Sequence, residues 1–299
     1  MPLTITKSGL AVNEYDVFDT RTPWRIQLKI ALIQQTVSPD KNENLLKGLQ
    51  NAQRAIEAGA QMIAFAELAF EPFYPQLHAD DDFRNLAETI PGPVTEAFCE
   101  LAKAHEVVFV LNLFERSGDK TFDSSPVIDA DGSILGTTRM VHITDYPGFH
   151  EQDYYVPGDN QSLVFETRYG KVGVAICYDR HYPEYMRALG VAGAEIVFIP
   201  QAGAIGEWPE GIYEAELQVA AFQNGYFTAL CNRVGKDQNI MFAGESFVCN
   251  PSGSVIARAQ SSVEEILYCD IELSEIAESD AKKLFLRDRR PELYADWIK

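Results

Sequence analysis

Short apolar runs that alternate with helical stripes are the feature of this sequence that most restricts its fold. Each run is rich in Val, Ile, Leu and Phe and too short for an ordinary helix, as in a strand buried on both faces. The runs cover residues 29–36, 61–68, 107–115, 171–179, 194–201, 226–235 and 264–273. Periodic patterns between them predict helices from Asp40 to Gly59, over 93–105 and 182–193, and near 211–224. This alternation predicts an α/β fold.

Two predicted hairpins add antiparallel pairs to that plan. The first covers 124–143 and turns at Asp131-Gly132, between two alternating runs. The second covers 245–259 and turns at Pro251-Ser252-Gly253. Because hairpin strands are antiparallel, the sheets are expected to be mixed rather than wholly parallel.

The expected domain organisation follows from the absence of linkers and repeats in the sequence. No Pro- or Gly-rich linker and no repeat of solenoid period occurs, so one folded domain is expected. The polar stretch 1–27 is predicted to be an N-terminal extension, 28–280 the folded domain, and the basic tail 281–299 a C-terminal arm.

The charge of the chain restricts its partners. Asp and Glu number 44 against 25 Lys and Arg, for a formal net charge of −19. Such a surface repels phosphate backbones and anionic lipid heads, so neither nucleic acid nor membrane is expected as a partner. An anionic substrate would need a local cationic pocket.

Cysteine usage and the N-terminal residues indicate a reducing compartment. The five cysteines are odd in number, scattered, and never in a C-x-x-C pair, so neither a disulfide framework nor a zinc site is expected. Residues 1–20 lack the apolar core of a secretory signal, and no run is long enough to span a membrane. A cytoplasmic protein is therefore expected.

Cys177 stands at the end of a predicted buried strand, before the polar run Tyr178-Asp179-Arg180-His181. Strand ends that open into loops are where α/β proteins place reactive groups. The next helix is predicted to begin near Tyr182-Pro183, and its dipole would lower the pKa of a nearby thiol. The alternative is a structural buried cysteine, which spacing alone favours.

Two acidic residues can each be interpreted either as part of a site or as an ordinary structural or solvated residue. Glu67 stands near the end of the apolar run IAFAEL, where burial would raise its pKa as a general base requires. It is equally compatible with an edge residue at a strand end. Glu151 lies in the aromatic loop YPGFHEQDYY, which could wall a pocket, although a solvated loop acid is the more frequent case.

Other signatures of chemistry are missing. No G-x-G-x-x-G, P-loop, G-x-S-x-G or H-E-x-x-H pattern occurs, so nucleotide binding and serine hydrolysis lack support. His142 and His181 lie beside the segments above, but their spacing does not suggest a metal site. No metal or organic cofactor is expected.

Three segments taken together resemble the nitrilase superfamily of carbon-nitrogen hydrolases. Glu67-Leu68, then RMVHIT at 139–144, then CYDRHYPE at 177–184 follow the order and spacing of that family. PGD at 157–159, NRVG at 232–235, NPSGSVIA at 250–257 and LRDRRPELY at 286–294 are also similar. The resemblance covers about 28–294 and is strongest to the amidase and N-carbamoyl-amide hydrolase branches.

The resemblance implies a fold and an assembly. The fold is a four-layer α-β-β-α sandwich with two mixed sheets. Subunits pair across a helical face into a homodimer or higher homo-oligomer, with the basic C-terminal arm reaching the partner.

The resemblance also assigns roles to site residues. Glu67 corresponds to the general base, Cys177 to the nucleophile and Glu151 to a second glutamate near the site. The backbone N–H of Tyr178 corresponds to an oxyanion donor. The residues expected to bind substrate are Arg180, which would hold a carboxylate, His181 and Tyr74.

Met140 departs from the family pattern. Aligned without a gap, it stands where the family carries its catalytic Lys. A thioether cannot donate a hydrogen bond, and losing one oxyanion donor costs on the order of 10²–10³ in rate in other enzymes. Three alternatives follow: a weak or inactive binding protein, substitution by another cation, or a substrate that needs less oxyanion help. The cations nearest by motif are Arg139, Arg180 and Lys236.

The predicted function is hydrolysis of a non-peptide C–N bond through a cysteine thioester. The substrate would be a small amide or N-carbamoyl amide, with a carboxylate-bearing one as the first candidate. The alternatives are a catalytically weak nitrilase-like binding protein and a true nitrilase.

Overall fold

The computed structural model describes residues 27–159 and 162–297, so residues 1–26 of the expected extension lie outside it. Fifteen strands occur within these ranges. They are β1 (Gln27–Gln34), β2 (Met62–Phe65), β3 (Val108–Val110), β4 (Leu113–Ser117), β5 (Lys120–Ile128), β6 (Ile134–Arg139), β7 (Val164–Thr167), β8 (Gly170–Val174), β9 (Ile196–Gln201), β10 (Phe227–Asn232), β11 (Val234–Asp237), β12 (Ile240–Ala243), β13 (Phe247–Cys249), β14 (Val255–Arg258) and β15 (Glu265–Glu272).

The helices of the same ranges lie between these strands. They are α1 (Lys41–Glu57), α2 (Pro93–His105), α3 (Pro183–Val191), α4 (Ile212–Asn224), α5 (Glu275–Glu278) and α6 (Pro291–Trp297). Asp40 caps α1 by accepting from the N–H groups of Asn42 and Glu43, as its position before the first apolar stripe predicts. None of the helices described here is both long and apolar enough to cross a bilayer.

Two large sheets form the centre of the molecule. The first has the order β15-β1-β2-β3-β5-β4, with β6 also paired to β5. The second has the order β14-β13-β10-β9-β8-β7. β1, β2 and β3 are parallel, as are β8, β9 and β10, whereas the pairs at the edges of both sheets are antiparallel. Both sheets are therefore mixed, as the two hairpins predict.

Side-chain alternation along the strands produces four layers. In β1, Leu28, Ile30 and Leu32 face the second sheet, in a core that also holds Val174 and Phe198. The alternate residues of the first sheet pack on α1 and α2. The outer face of the second sheet packs in the same way on α3 and α4. The expected α-β-β-α sandwich is confirmed.

Four predicted strands are shorter or more broken than the apolar runs suggest. The run 226–235 divides at Arg233 into β10 and β11. The run 61–68 stops being a strand after Phe65, and Leu68 adopts a positive φ of 46°. The run 107–115 divides into β3 and β4, which both pair with β5. The break faces Pro126, which accepts from the N–H of Leu111 but has no N–H to return.

The run 171–179 also ends early. β8 stops at Val174, and Cys177, with a φ of 43°, begins a 3-10 turn that covers Cys177–His181. The prediction that strand structure continues to Asp179 is therefore wrong, because a left-handed φ is incompatible with a strand. A further hairpin, β11 with β12, was not predicted from the sequence. The tail forms a π-helical turn over Ala281–Phe285 and then α6.

Candidate active site

Glu67, Glu151 and Cys177 meet between the two sheets, although 84 and 26 positions separate them along the chain. Glu67 follows β2 of the first sheet and Cys177 follows β8 of the second. Glu151 begins a short 3-10 turn over Glu151–Asp153. One carboxylate oxygen of each glutamate and the Cys177 sulfur all lie within 4.8 Å of one another. Both glutamates are fully buried, whereas Cys177 keeps 5% of its surface exposed.

The turn that carries Glu67 is held by buried polar side chains. Asn112 accepts from the N–H of Leu68 at 2.7 Å. The guanidinium of Arg233 donates to the backbone carbonyls of Glu67 (3.2 Å), Leu68 (2.5 Å) and Glu71 (3.1 Å). Since these groups bind the backbone, they fix the Glu67 side chain without using its carboxylate.

A third buried acid, Asp123 of β5, stands beside this turn. Its Oδ1 accepts from Asn112 Nδ2 at 2.6 Å. Burial raises its pKa well above the usual range, and the Glu67 charge raises it further. Sequence reasoning missed Asp123, and the available signal was an acid within an otherwise buried strand run.

The electrostatics of Glu67 follow from its burial. Loss of water raises its pKa from 4.5 to about 8, and the charge of Glu151 adds to the rise. The Cys177 thiol, Asp123 and Arg233 oppose it. Burial likewise raises the pKa of Glu151 well above its usual range, with Asp123 as the next cause. The expected upward shift for Glu67 is confirmed.

Cys177 lies in a turn rather than in a strand. Gln201 Nε2 donates to its sulfur at 3.2 Å, and Arg180 Nη1 donates to its carbonyl at 2.8 Å. Burial raises the pKa of the thiol well above its usual range, Glu67 and Glu151 add to this, and Arg180 opposes it. The predicted lowering by the dipole of α3 is therefore wrong, because burial and two carboxylates outweigh it and a turn separates Cys177 from that helix.

Met140 is fully buried in the core between the sheets, in the same cluster as Cys177. Its N–H donates to the carbonyl of Asp123 at 2.9 Å, and its carbonyl accepts from Gly158 at 2.8 Å. The next two N–H groups, of Val141 and His142, donate to Asp179. The side chain at the position of the family Lys is thus an uncharged, buried thioether in the apolar cluster that contains Cys177.

The three cations considered as replacements have different locations. Arg139 binds Glu115 through two nitrogens, at 2.8 and 2.6 Å, and stacks over Phe122. Lys236 is exposed on β11. Only Arg180 is next to Cys177, and it also donates to Gln201 at 2.8 Å and lies 3.3 Å from Glu216.

The other predicted contacts surround this centre at different distances. The ring of Tyr178 packs edge-on against His181, whose Nδ1 is 2.6 Å from Glu216 and whose ring contacts Trp208. Tyr74 is half-buried and packs against Phe114. Its pKa is raised by burial and then by Glu71 rather than by the site carboxylates.

Several buried polar atoms of the centre have no hydrogen-bond partner among the described residues. They are both carboxylate oxygens of Glu67, Oε1 of Glu151, Oδ2 of Asp123 and the hydroxyl of Tyr155. Unpaired buried polar groups are costly, so they mark a place where a ligand would supply the missing bonds. One thiol and two carboxylates at this spacing could also hold a metal ion, so the absence of a metal stays a prediction.

Comparison with known proteins agrees with this arrangement. A model of the carbon-nitrogen hydrolase family matches residues 29–280. N-carbamoylputrescine amidase of Solanum lycopersicum is 34% identical over 281 residues, which are 89% of this chain and 93% of that protein. Citrullinase of Francisella tularensis subsp. tularensis is 32% identical over 284 residues, 91% of this chain and 98% of that protein.

A solved structure is similar over the same length. The crystal structure of a carbon-nitrogen hydrolase from Helicobacter pylori G27 matches with a TM-score of 0.84 and 30% identity, and covers 91% of this chain and 99% of that one. Fold, family match and relatives all confirm the resemblance noted in the sequence. The chain belongs to the carbon-nitrogen hydrolase family of the nitrilase superfamily.

Proposed function

We propose that this protein hydrolyses a non-peptide C–N bond of a small molecule through covalent catalysis at Cys177. The observation that carries the proposal is the buried meeting of the Cys177 sulfur with carboxylate oxygens of Glu67 and Glu151, all within 4.8 Å. A thiol needs a base within proton-transfer reach to become a nucleophile, and a carboxylate of raised pKa is such a base.

In the proposed reaction, Glu67 takes the proton of Cys177 and the thiolate attacks the carbon of the C–N bond. Glu67 then protonates the leaving amine or ammonia. Water, activated by Glu67 or Glu151, hydrolyses the thioester and restores the thiol. The route divides one difficult step into two easier ones.

The backbone N–H of Tyr178 is the proposed donor to an oxyanion. It follows the nucleophile directly, in the 3-10 turn Cys177–His181. A preformed donor of this kind stabilises charge that develops only in the transition state.

Amides and N-carbamoyl amides are the first substrate classes to test. The printed names of the relatives, N-carbamoylputrescine amidase and citrullinase, support a carbamoyl compound. A carboxylate on the substrate would meet Arg180, whose Nη2 has no hydrogen-bond partner in the described ranges. His181 and Tyr74 remain proposed substrate contacts. A cytoplasmic location, a homo-oligomeric assembly and the domain boundaries at 28–280 also remain proposals.

Met140 supports a second candidate, a family member that binds a metabolite and turns it over slowly or not at all. It buries a side chain with no donor where the family has its Lys.

The two candidates are separated by Cys177→Ala, with Cys99→Ala as the matched control at a partly exposed thiol. Intact mass is followed during incubation with amides, N-carbamoyl amino acids and nitriles. An acyl adduct or product that disappears with Cys177→Ala and persists with Cys99→Ala supports the enzyme. Unchanged turnover in Cys177→Ala would overturn the assignment. Saturable binding without any adduct would favour the binding protein.

A further inference from the structure

We propose that the preferred reacting group is an amidinium-type carbon, as in an amidine or a monosubstituted guanidine, held between Glu67 and Glu151 beside Met140. Such a group is the isostere of an amide or carbamoyl in which =NH2⁺ replaces the carbonyl oxygen. The inference rests on the proposed nucleophile and narrows the substrate class.

The charge around Cys177 is the first support. Two buried acids, Glu67 and Glu151, reach it, and a third, Asp123, acts on Glu67. Asp179 is also buried but already accepts from His142. The two buried cations of this region each face an acid outside the set, since Arg180 lies near Glu216 and Arg233 binds Asp237 at 2.6 Å. The centre therefore concentrates buried carboxyl groups, and a bound cation would stabilise their ionised forms.

The unpaired oxygens are the second support, independent of the charge count. Both oxygens of Glu67 and Oε1 of Glu151 have no partner with good hydrogen-bond geometry among the described residues, although the Cys177 thiol and Asp123 interact with Glu67, and both side chains are fully buried. A planar amidinium offers two NH2 groups that can donate to two carboxylates at once. Because one oxygen of each glutamate lies within 4.8 Å of the Cys177 sulfur, a group held between the two carboxylates would have its carbon near that sulfur.

Met140 is the third support. Attack on a carbonyl creates an oxyanion, which a thioether cannot stabilise by hydrogen bonding. Attack on an amidinium creates no oxyanion, because the electrons of the C=N bond neutralise the positive nitrogen. A Lys at this position would repel the cation, whereas the neutral Met140 leaves room for it.

The chemistry balances without a co-reactant other than water. Glu67 removes the thiol proton, sulfur bonds to the amidinium carbon, and a neutral diamino intermediate forms. Glu67 returns the proton to one nitrogen, which leaves as ammonia and gives a cationic thioimidate. Water adds with loss of a proton to Glu67 or Glu151, and as the C=O bond forms the sulfur leaves and takes the hydroxyl proton, which restores the thiol. The protonated glutamate then gives its proton to the ammonia. The products are an amide, or a urea from a guanidine, and ammonium.

The raised pKa values agree with this picture. Burial and Glu151 raise the pKa of Glu67 to about 8, so the site without a bound cation keeps protons on its acids near neutral pH. A cation would favour their ionised forms, including the one that activates Cys177.

The test compares 2-chloroacetamidine with 2-chloroacetamide, which are isosteres that differ in charge. Alkylation of Cys177 in the full-length protein is followed by intact mass and peptide mapping, and each rate is divided by the rate with glutathione. We expect the amidine to be favoured by about tenfold or more, the effect of one nearby charge. Met140→Lys should reverse the preference and the neutral Met140→Leu should keep it. Ammonia release from acetamidine and from acetamide gives the parallel measurement of turnover.

Each outcome decides between the two proposals. A wild-type preference for chloroacetamide, with turnover of amides, would overturn the amidinium inference and leave the proposed function standing. An unchanged preference in a folded Met140→Lys would also overturn the inference. If Met140→Lys does not fold, Glu151→Gln replaces it, and the preference should fall because one carboxylate is lost. If neither reagent labels Cys177 faster than Cys99 and nothing is turned over, both proposals fail.

Discussion

Replacing Met140 with Lys should move the pH at which Cys177 becomes reactive. Loss of water raises the pKa of Glu67 to about 8, with the Glu151 charge as the next cause. The groups that face Glu67 are Asp123 from β5, Glu151, the Cys177 thiol and Arg233. In the wild-type protein, Glu67 can accept the thiol proton only when it is ionised, so reactivity should rise with pH through about 8.

The size of the effect follows from those values. With a pKa of about 8, only about one tenth of Glu67 is ionised at pH 7. An opposite charge within ~4–6 Å lowers a carboxyl pKa by about 1–3. With the ammonium of Met140→Lys at that distance from Glu67, the ionised fraction of Glu67 at pH 7 would lie between about one half and nearly all, and Cys177 alkylation would be about five- to tenfold faster. Hydrolysis of an amide should gain more, because the ammonium also donates to the oxyanion.

The assay is the rate of Cys177 alkylation by 2-chloroacetamide, a neutral reagent, measured by intact mass from pH 5 to pH 10. Met140→Leu is the matched control, since it changes the side chain without adding charge. Circular dichroism and thermal melting establish that each variant is folded. The reasoning is refuted if folded Met140→Lys shows the same rise of the alkylation rate with pH as the wild-type protein. It is also refuted if Met140→Leu shifts that rise to lower pH as much as Met140→Lys does.

Three further predictions concern the groups that hold the site. Glu67→Gln should stabilise the fold above pH 8 and have little effect near pH 4.5: the folded state binds the extra proton, so wild-type stability falls as pH rises from 4.5 to about 8. This difference between the two pKa values corresponds to a change in unfolding free energy on the order of 5 kcal/mol at most. Urea unfolding near pH 4.5 and above pH 8 measures that change. Asn112→Ala should cost about 2–4 kcal/mol, because it leaves buried partners unpaired, whereas the exposed Asn85→Ala should change urea unfolding little. Arg233→Met should cost about 3–5 kcal/mol and slow Cys177 alkylation, while exposed Arg116→Met should do neither; equal effects of both would contradict a role for Arg233 in ordering the Glu67 turn.

Local patterns in the sequence were sufficient for the layered plan. Apolar runs, helical stripes and the Asp131-Gly132 turn depend on neighbouring residues, and the strands and helices they predict are mostly present. The sequence also predicted that Glu67 and Cys177 lie near the ends of buried strands, although both strands end earlier than predicted. The strand ends themselves were not predicted, because the break between β3 and β4 depends on Pro126 in a partner strand.

The sequence predicted the candidate site only in part. The order of the motifs resembles the family and so assigns Glu67, Glu151 and Cys177 to one site. Each of these residues considered alone was also compatible with a structural role. Nothing local distinguished Asn112 from other polar residues, the signal for Asp123 was only its place in a buried strand run, and Arg233 belonged to the NRVG motif without a role of its own.

What the sequence by itself determined was therefore the alternation of elements and the residue types available for chemistry, including the neutral Met140. The tertiary structure decided which buried groups meet: Arg233 reaches the carbonyl of Glu67 across 166 positions, and Gln201 reaches the sulfur of Cys177 from the next strand. It also decided the pKa directions, because burial of Glu67 and Cys177 raises both. Desolvation and charge proximity act through space, so they exist only once the two sheets have packed together.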